Sequence, residues 1–196
     1  QTDAWKPIVK KVHEGDSKIF VQLMHTGRVS HPDNMSDTAE IMAPSAISVK
    51  ASKMYTDQNG EQEMPVPKEM SPADIKEATN EFVKAAKYAM SAGFDGVELH
   101  AANGYLLEQF INPGSNQRTD EFGGSTENRC KFVLTVAQAT VDAIGAHKVG
   151  IRISPHGAFN DVLPFEEEEE TFTYLAAKLG ALDLAYIHLV DHSSMG

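Results

Sequence analysis

Gly96–Asn116, GVELHAANGYLLEQFINPGSN, is the stretch on which the fold turns. Val97 and Leu99 alternate with Glu98 and His100, the period of a strand with two unlike faces. The chain then breaks into a loop that keeps His100, Asn103 and Tyr105 close together. A histidine, an amide and a phenol at the end of a buried strand form a donor set, able to hold a substrate oxygen and deliver a proton. The same short pattern also suits a loop whose polar groups only satisfy one another, so the surrounding chain has to decide.

Working outward, Ser71-Pro72 starts a helix before this strand: serine as N-cap, proline at the first helical position, Asp74 in the first turn. Ile75, Ala78, Phe82, Ala85, Ala86 and Ala89 mark its buried stripe, and Gly93 ends it. The strand is expected over Phe94–His100 and a loop over Ala101–Gly124. Ser125 then caps a second long helix, with Phe132, Val133, Val136, Ala137, Thr140, Val141 and Ile144 on one side and Gly145 as its stop. Lys148–Ser154, KVGIRIS, reads as the next strand. A helix follows from about Phe165 to Leu179, with the acidic run Glu166–Glu170 read as a solvated face near its positive end. Leu184–Val190 makes a last strand, followed by a loop, DHSSMG. Towards the N-terminus, Thr2–Glu14 reads as a helix (Trp5, Ile8, Val9 and Val12) and Lys18–Met24 as a strand apolar on both faces. His25–Met70 is irregular, with a hairpin turn at Asn59-Gly60 between Tyr55 and Met64. A connection this long is usually a lid or a wall of a site.

The order α-β-α-β-α-β-α-β predicts an α/β protein with a parallel sheet and right-handed crossovers. No G-x-G-x-x-G turn follows a strand, and no HExxH, Walker A or CxxC motif is present. The net charge of -11 argues against nucleic acid or an anionic membrane as partner. One cysteine, Cys130, permits no internal disulfide and is read as a packing residue; a cytoplasmic location is expected. No apolar run reaches the roughly 18 residues of a membrane span. No signal peptide is read, and the Asn34-Met35-Ser36 sequon is taken as chance. The helical pattern beginning at Gln1 leads us to expect sequence upstream.

Each strand carries a polar residue in an apolar run: Gln22, Glu98 with His100, Arg152, and His188. A buried charge such as Arg152 is costly unless paired. Polar groups brought to the C-terminal ends of successive strands mark a site at the top of a (β/α) barrel or at the crevice of an open sheet. Gln22 offers a donor and an acceptor to a flat heterocycle, and Arg152 places positive charge near an electron-rich ring, the levers by which a protein tunes a flavin.

QLMHTGRVSHP (Gln22–Pro32), GFDGVELHAANGYLLEQFINPGSNQRTDEFGGSTENR (Gly93–Arg129) and VGIRISPHGAF (Val149–Phe159) strongly resemble the Old Yellow Enzyme family of FMN-dependent ene-reductases. The resemblance implies a (β/α)8 TIM-type barrel. About four parallel strands are present here, similar to the third to sixth, with a long loop and hairpin insertion after the first, as one partial-barrel domain over residues 1–196. By the same resemblance His100 and Asn103 would bind the activating oxygen of the substrate, Tyr105 would donate the proton, and Gln22 and Arg152 would contact the flavin ring. FMN is the implied cofactor and NADPH the implied reductant, with NADH as an option. The substrate would be a small enone, enal, maleimide or nitroalkene. His25 is read as structural, Arg28 as serving either the site or the loop, and Arg118, Gly123, Gly124 and Arg129 as loop and helix-start architecture. Phe122 and Lys131 depart from the family's usual tyrosine and arginine.

A full barrel needs about 250 residues. The resemblance therefore implies half a site: substrate donors and part of the ring contact, without the phosphate anchor. Two readings follow: an ene-reductase active in its complete form, or a truncated or engineered half-barrel that holds no flavin and has no activity. An open sheet with two edges and one apolar face would also favour a homo-oligomer.

Overall fold

The computed structural model describes residues 1–190; the expected DHSSMG loop lies outside the described residues. The chain runs α1 (Thr2–Glu14), β1 (Phe20–Leu23), β2 (Met42–Ala43), β3 (Lys53–Thr56), β4 (Gly60–Glu63), β5 (Lys68–Glu69), α2 (Pro72–Ala92), β6 (Gly96–Ala101), α3 (Leu106–Ile111), α4 (Thr126–Ile144), β7 (Val149–Ile153), α5 (Glu168–Gly180) and β8 (Tyr186–Leu189). The main sheet has the order β1-β6-β7-β8 and is parallel throughout. Every strand expected from the sequence is present, trimmed at its ends except that β6 runs one residue further than expected, to Ala101.

The two long helices α2 and α4 start at the serine caps expected for them. Ser71 Oγ accepts from the Asp74 N–H while the Asp74 carboxylate accepts from the Ser71 N–H, a reciprocal box that satisfies two otherwise orphaned donors of α2. Gly93, with φ of 97°, turns the chain out of α2 through a left-handed conformation. Asp95 then fastens β6 to the N-terminal elements. Its carboxylate accepts from the Ile19 N–H at 2.9 Å and pairs with His13 and Lys18. Those bonds, led by the one to His13, hold its pKa well below the usual carboxylate range.

Alternation along the strands divides the sheet into two faces. Val97, Leu99 and Ala101 of β6 and Val149, Ile151 and Ile153 of β7 point to one side and are essentially fully buried. They join Phe82, Ala86 and Ala89 of α2, Phe132, Val133 and Val136 of α4, and Leu175 and Leu179 of α5 in one continuous core. Cys130 belongs to it, as expected, and burial pushes its thiol up to about 12.

The other face does not match the apolar surface expected from an open sheet. Its rows are Gln22, Glu98, Gly150 and Tyr186, and above them His100, Arg152 and His188, all in cross-strand register. The face is polar because the alternation that buries Val97 and Leu99 sends Glu98 and His100 to the opposite side. At its lower end the rings of Phe20 and Tyr186 sit 5.6 Å apart and fill the space left by two glycines. A Cβ on Gly96 would lie 2.2 Å from the Phe20 ring, and one on Gly150 would lie 2.3 Å from the Tyr186 ring.

The loop expected over Ala101–Gly124 contains a helix, α3, whose six residues are all buried. LLEQFI has no solvent stripe, so helical periodicity gives no sign of it. The irregular segment 25–70 does carry the expected hairpin, β3 against β4. It also holds a short parallel pair, β2 with β5, too brief to leave a pattern. In the acidic run the solvated-face reading fails at one residue. Glu168 is only 8% exposed, and its carboxylate accepts from the His156 N–H and bonds the His156 ring, each at 3.1 Å.

Candidate active site

The C-terminal end of β6 gathers the expected donors. His100, 2% exposed, ends the polar row of the strand, and its ring meets that of Tyr105 edge-on at 5.2 Å between centroids. Asn103 lies between them in the left-handed region, φ 55°, a conformation that asparagine tolerates better than most residues. Arg152 is the register partner of His100 on β7, and His188 that of Arg152 on β8. Burial, with Arg152 beside it, pushes the His100 pKa down to about 4, so the ring is neutral near pH 7 and carries a single N–H.

Two nitrogens on this face stand out. His100 Nδ1 and Arg152 Nε are buried and have no hydrogen-bond partner among the described residues. Such groups are rare and costly, and they point to a ligand that completes them. Gln22 lies lower on the face. Its Nε2 donates to Glu98 at 2.6 Å, and the other Glu98 oxygen bonds His188 Nδ1 at 3.1 Å. A carboxylate only accepts, so Glu98 turns the Gln22 amide nitrogen inward and its carbonyl oxygen outward.

The loop that carries Asn103 and Tyr105 is held by residues that sequence reading passed over. The Asn103 N–H donates to Ser154 Oγ at 2.8 Å, and Ser154 in turn donates to Glu108 at 2.6 Å. The other Glu108 oxygen accepts the Gly104 N–H at 2.5 Å. Gln109 donates to the carbonyls of Gly104 and Thr26 and accepts the Arg28 N–H, which ties the loop after β1 to the loop after β6. The signal for Glu108 and Gln109 was present: two polar residues inside an apolar run that leaves no face for solvent.

The remaining expectations sort cleanly. His25 is structural, its Nδ1 accepting the Gly27 N–H at 3.0 Å. Arg28 ties the loops together: it is 1% exposed and donates to the carbonyls of Ile47, Asn160 and Asp161, while its Nε, also buried, has no hydrogen-bond partner among the described residues. Arg118 binds Asp120 and the carbonyls of Pro44 and Met70, while Arg129 binds those of Ile111 and Gly124. Both are architecture, as read.

A parallel sheet with helices on one face and a polar constellation at its strand ends defines part of a (β/α) barrel, with a candidate site at the C-terminal end of its strands. The chain matches the NADH:flavin oxidoreductase / NADH oxidase family over residues 1–195, and it belongs to that family. It is 41% identical over 192 residues to a probable flavin mononucleotide-dependent alkene reductase of Leishmania infantum, covering 96% of this chain and 52% of that protein. It superposes with a TM-score of 0.91 and 34% identity on the old yellow enzyme homologue from Zymomonas mobilis, covering 97% of this chain and 52% of that one. A mutant morphinone reductase in complex with tetrahydroNAD gives the same TM-score at 36% identity, with 96% and 53% covered. The chain thus spans about half the length of the relatives it matches. The likeness to Old Yellow Enzymes and the partial barrel that it implies both hold.

A flavin fits this face. Its electron-rich ring edge suits the unpartnered Arg152 Nε, and its ring N–H suits the outward carbonyl oxygen of Gln22.

Proposed function

We propose that this chain carries the substrate half of an FMN-dependent ene-reductase, which reduces activated C=C bonds of α,β-unsaturated carbonyl or nitro compounds with NADPH. The observation that carries the reading is the clustering of His100, Asn103 and Tyr105 beside Arg152, with two buried nitrogens left for a ligand. FMN, when bound and reduced, supplies hydride to the β-carbon of the alkene. His100 and Asn103 hold the activating oxygen, and their donors are most effective against the enolate-like charge that develops there. A neutral His100 suits this task, since it offers an N–H without adding charge to the Arg152 neighbourhood. Tyr105 gives its proton to the α-carbon. Gln22 and Arg152 orient and polarise the ring system.

The domain is read as one partial barrel over residues 1–196, working in the cytoplasm, where the single buried Cys130 stays reduced. Among the described residues no helix is long and apolar enough to cross a membrane. The test is a visible spectrum of the purified protein after FMN is added and the excess removed. A retained flavin band, bleached anaerobically by NADPH and restored by cyclohexenone, is expected. A colourless protein without turnover favours the inert half-barrel instead.

A further inference from the structure

We infer that Glu108 is the positioning residue of the substrate clamp: its carboxyl group fixes the two consecutive residues whose conformation aims Asn103 and Tyr105 into the site. The catalytic meaning of this rests on the proposed clamp; the geometry does not.

Asn103 and Gly104 both lie in the left-handed region, with φ of 55° and 76°. Two such residues in a row form a tight turn whose N–H groups point inward and need acceptors. One carboxyl group serves both. Gly104 donates to it directly, and Asn103 donates to the Ser154 hydroxyl, which donates to the other oxygen. Ser154 follows β7 and Glu108 sits on α3, so the turn is referenced to two rigid elements rather than to its own loop. Gly104 also leaves no room to drift. A Cβ there would lie 2.4 Å from the Phe159 carbonyl oxygen, and Asn160 Nδ2 closes the far side by donating to the Asn103 carbonyl at 2.8 Å.

Burying a carboxyl group is expensive, and a turn that needed only filling would not require one. Glu108 is 2% exposed, and the nearby charged group is Glu168 of α5, already bound to His156. Burial above all, with Glu168 adding to it, pushes Glu108 up to about 7, against the pull of the Ser154 and Gly104 bonds. In either protonation state one oxygen still accepts from Gly104, and the hydroxyl of Ser154 reverses its role as donor or acceptor.

Site-resolved amide hydrogen exchange tests this without requiring flavin. In Glu108→Ala, exchange at Asn103 and Gly104 should rise about tenfold or more over that at Leu99 and Phe110, as lost hydrogen bonds of this kind do. Glu108→Gln keeps an acceptor for Gly104 and a donor for Ser154, and should stay within about threefold of the parent. Ser154→Ala should loosen Asn103 alone. In the FMN-loaded protein, Glu108→Ala should lower kcat/KM for the enone and Glu108→Gln should recover it. Unchanged exchange at both amides in Glu108→Ala overturns the inference. So does equal loosening throughout β6 and α3, or a Gln variant as loose as the Ala variant. If Glu108→Ala does not fold, Glu108→Gln and Ser154→Ala decide it by whether loosening is absent in the first and confined to Asn103 in the second. A protein that takes up no FMN defeats the proposed function and leaves the exchange result standing.

Discussion

The two faces of β6 and β7 share a backbone and differ in almost everything else. On the helix side Val97, Leu99, Val149 and Ile151 are sealed at 0% exposure in one apolar core. One residue further along each strand, Glu98, His100 and Arg152 face a surface where buried nitrogens lack partners. The first face is satisfied by the chain itself and earns stability. The second is unfinished, and unfinished polar groups are where ligands and chemistry belong. The difference says that strand alternation here separates the packed core from the candidate site at single-residue resolution.

The largest expected effect breaks the functional face alone. Tyr105→Phe in the FMN-loaded protein should slow enone reduction by roughly 10²–10⁴-fold, the range of a lost general acid. Flavin bleaching by NADPH should be nearly unchanged, as measured by anaerobic stopped flow on each half-reaction. If both half-reactions fall together, Tyr105 is not the proton donor.

A matched pair of truncations sharpens the contrast. Ile151→Ala on the sealed face should cost about 2–5 kcal/mol in denaturant unfolding, through lost burial and the cavity left behind. His100→Ala on the polar face should cost less than Ile151→Ala, because the cavity it leaves beside Tyr105 is offset by removing a buried nitrogen that has no partner to lose. The same variant should weaken binding of phenolic ligands. Equal destabilisation by the two substitutions would mean that both faces are structural.

A smaller effect comes from pH. Free glutamate titrates near 4.5, and Glu108 is raised to about 7 in the fold. Between those values the native state keeps a proton that the unfolded chain has released, so the Glu108 contribution to stability falls as pH rises from about 4.5 to about 7 and then levels off, while His100, lowered to about 4 in the fold, contributes a rise up to its free value near 6.5. Glu108→Gln removes that proton uptake, so its profile should gain stability relative to the parent as pH rises from about 4.5 to about 7, read as the difference in urea midpoints at successive pH values. A profile that keeps its slope would assign the titration elsewhere.

The sealed face was legible from sequence because it is periodic. Caps at Ser71 and Ser125, stops at Gly93 and Gly145, and apolar stripes between them give the helices, and the strands follow from alternation. The candidate site was legible only in part. His100, Asn103 and Tyr105 lie within six residues, so their grouping is local. Gln22, Arg152 and His188 come from other strands, and only register shows that they share rows with Glu98 and His100. Glu108 and Gln109 stand out as polar residues inside an apolar run, but the backbone groups and the Ser154 hydroxyl that they bond come from other segments, which the sequence does not pair with them. The helix that presents Glu108 has no polar stripe to announce it.

The smallest expected effect is none at all, and it bounds how well the first face is sealed. Cys130 lies on α4 at 0% exposure, and burial holds its thiol up to about 12. The reactive species in thiol chemistry is the thiolate, so at pH 8 native Cys130 is both inaccessible and protonated. An aromatic disulfide reagent should therefore give no reaction on the native protein and one equivalent in denaturant. Native reaction, where it occurs, should follow the rate of global opening and slow when the fold is stabilised. Rapid labelling under native conditions would show that the helix layer opens locally. The contrast between a closed face and an open one would then be a matter of degree, set by how often α4 lifts from the sheet.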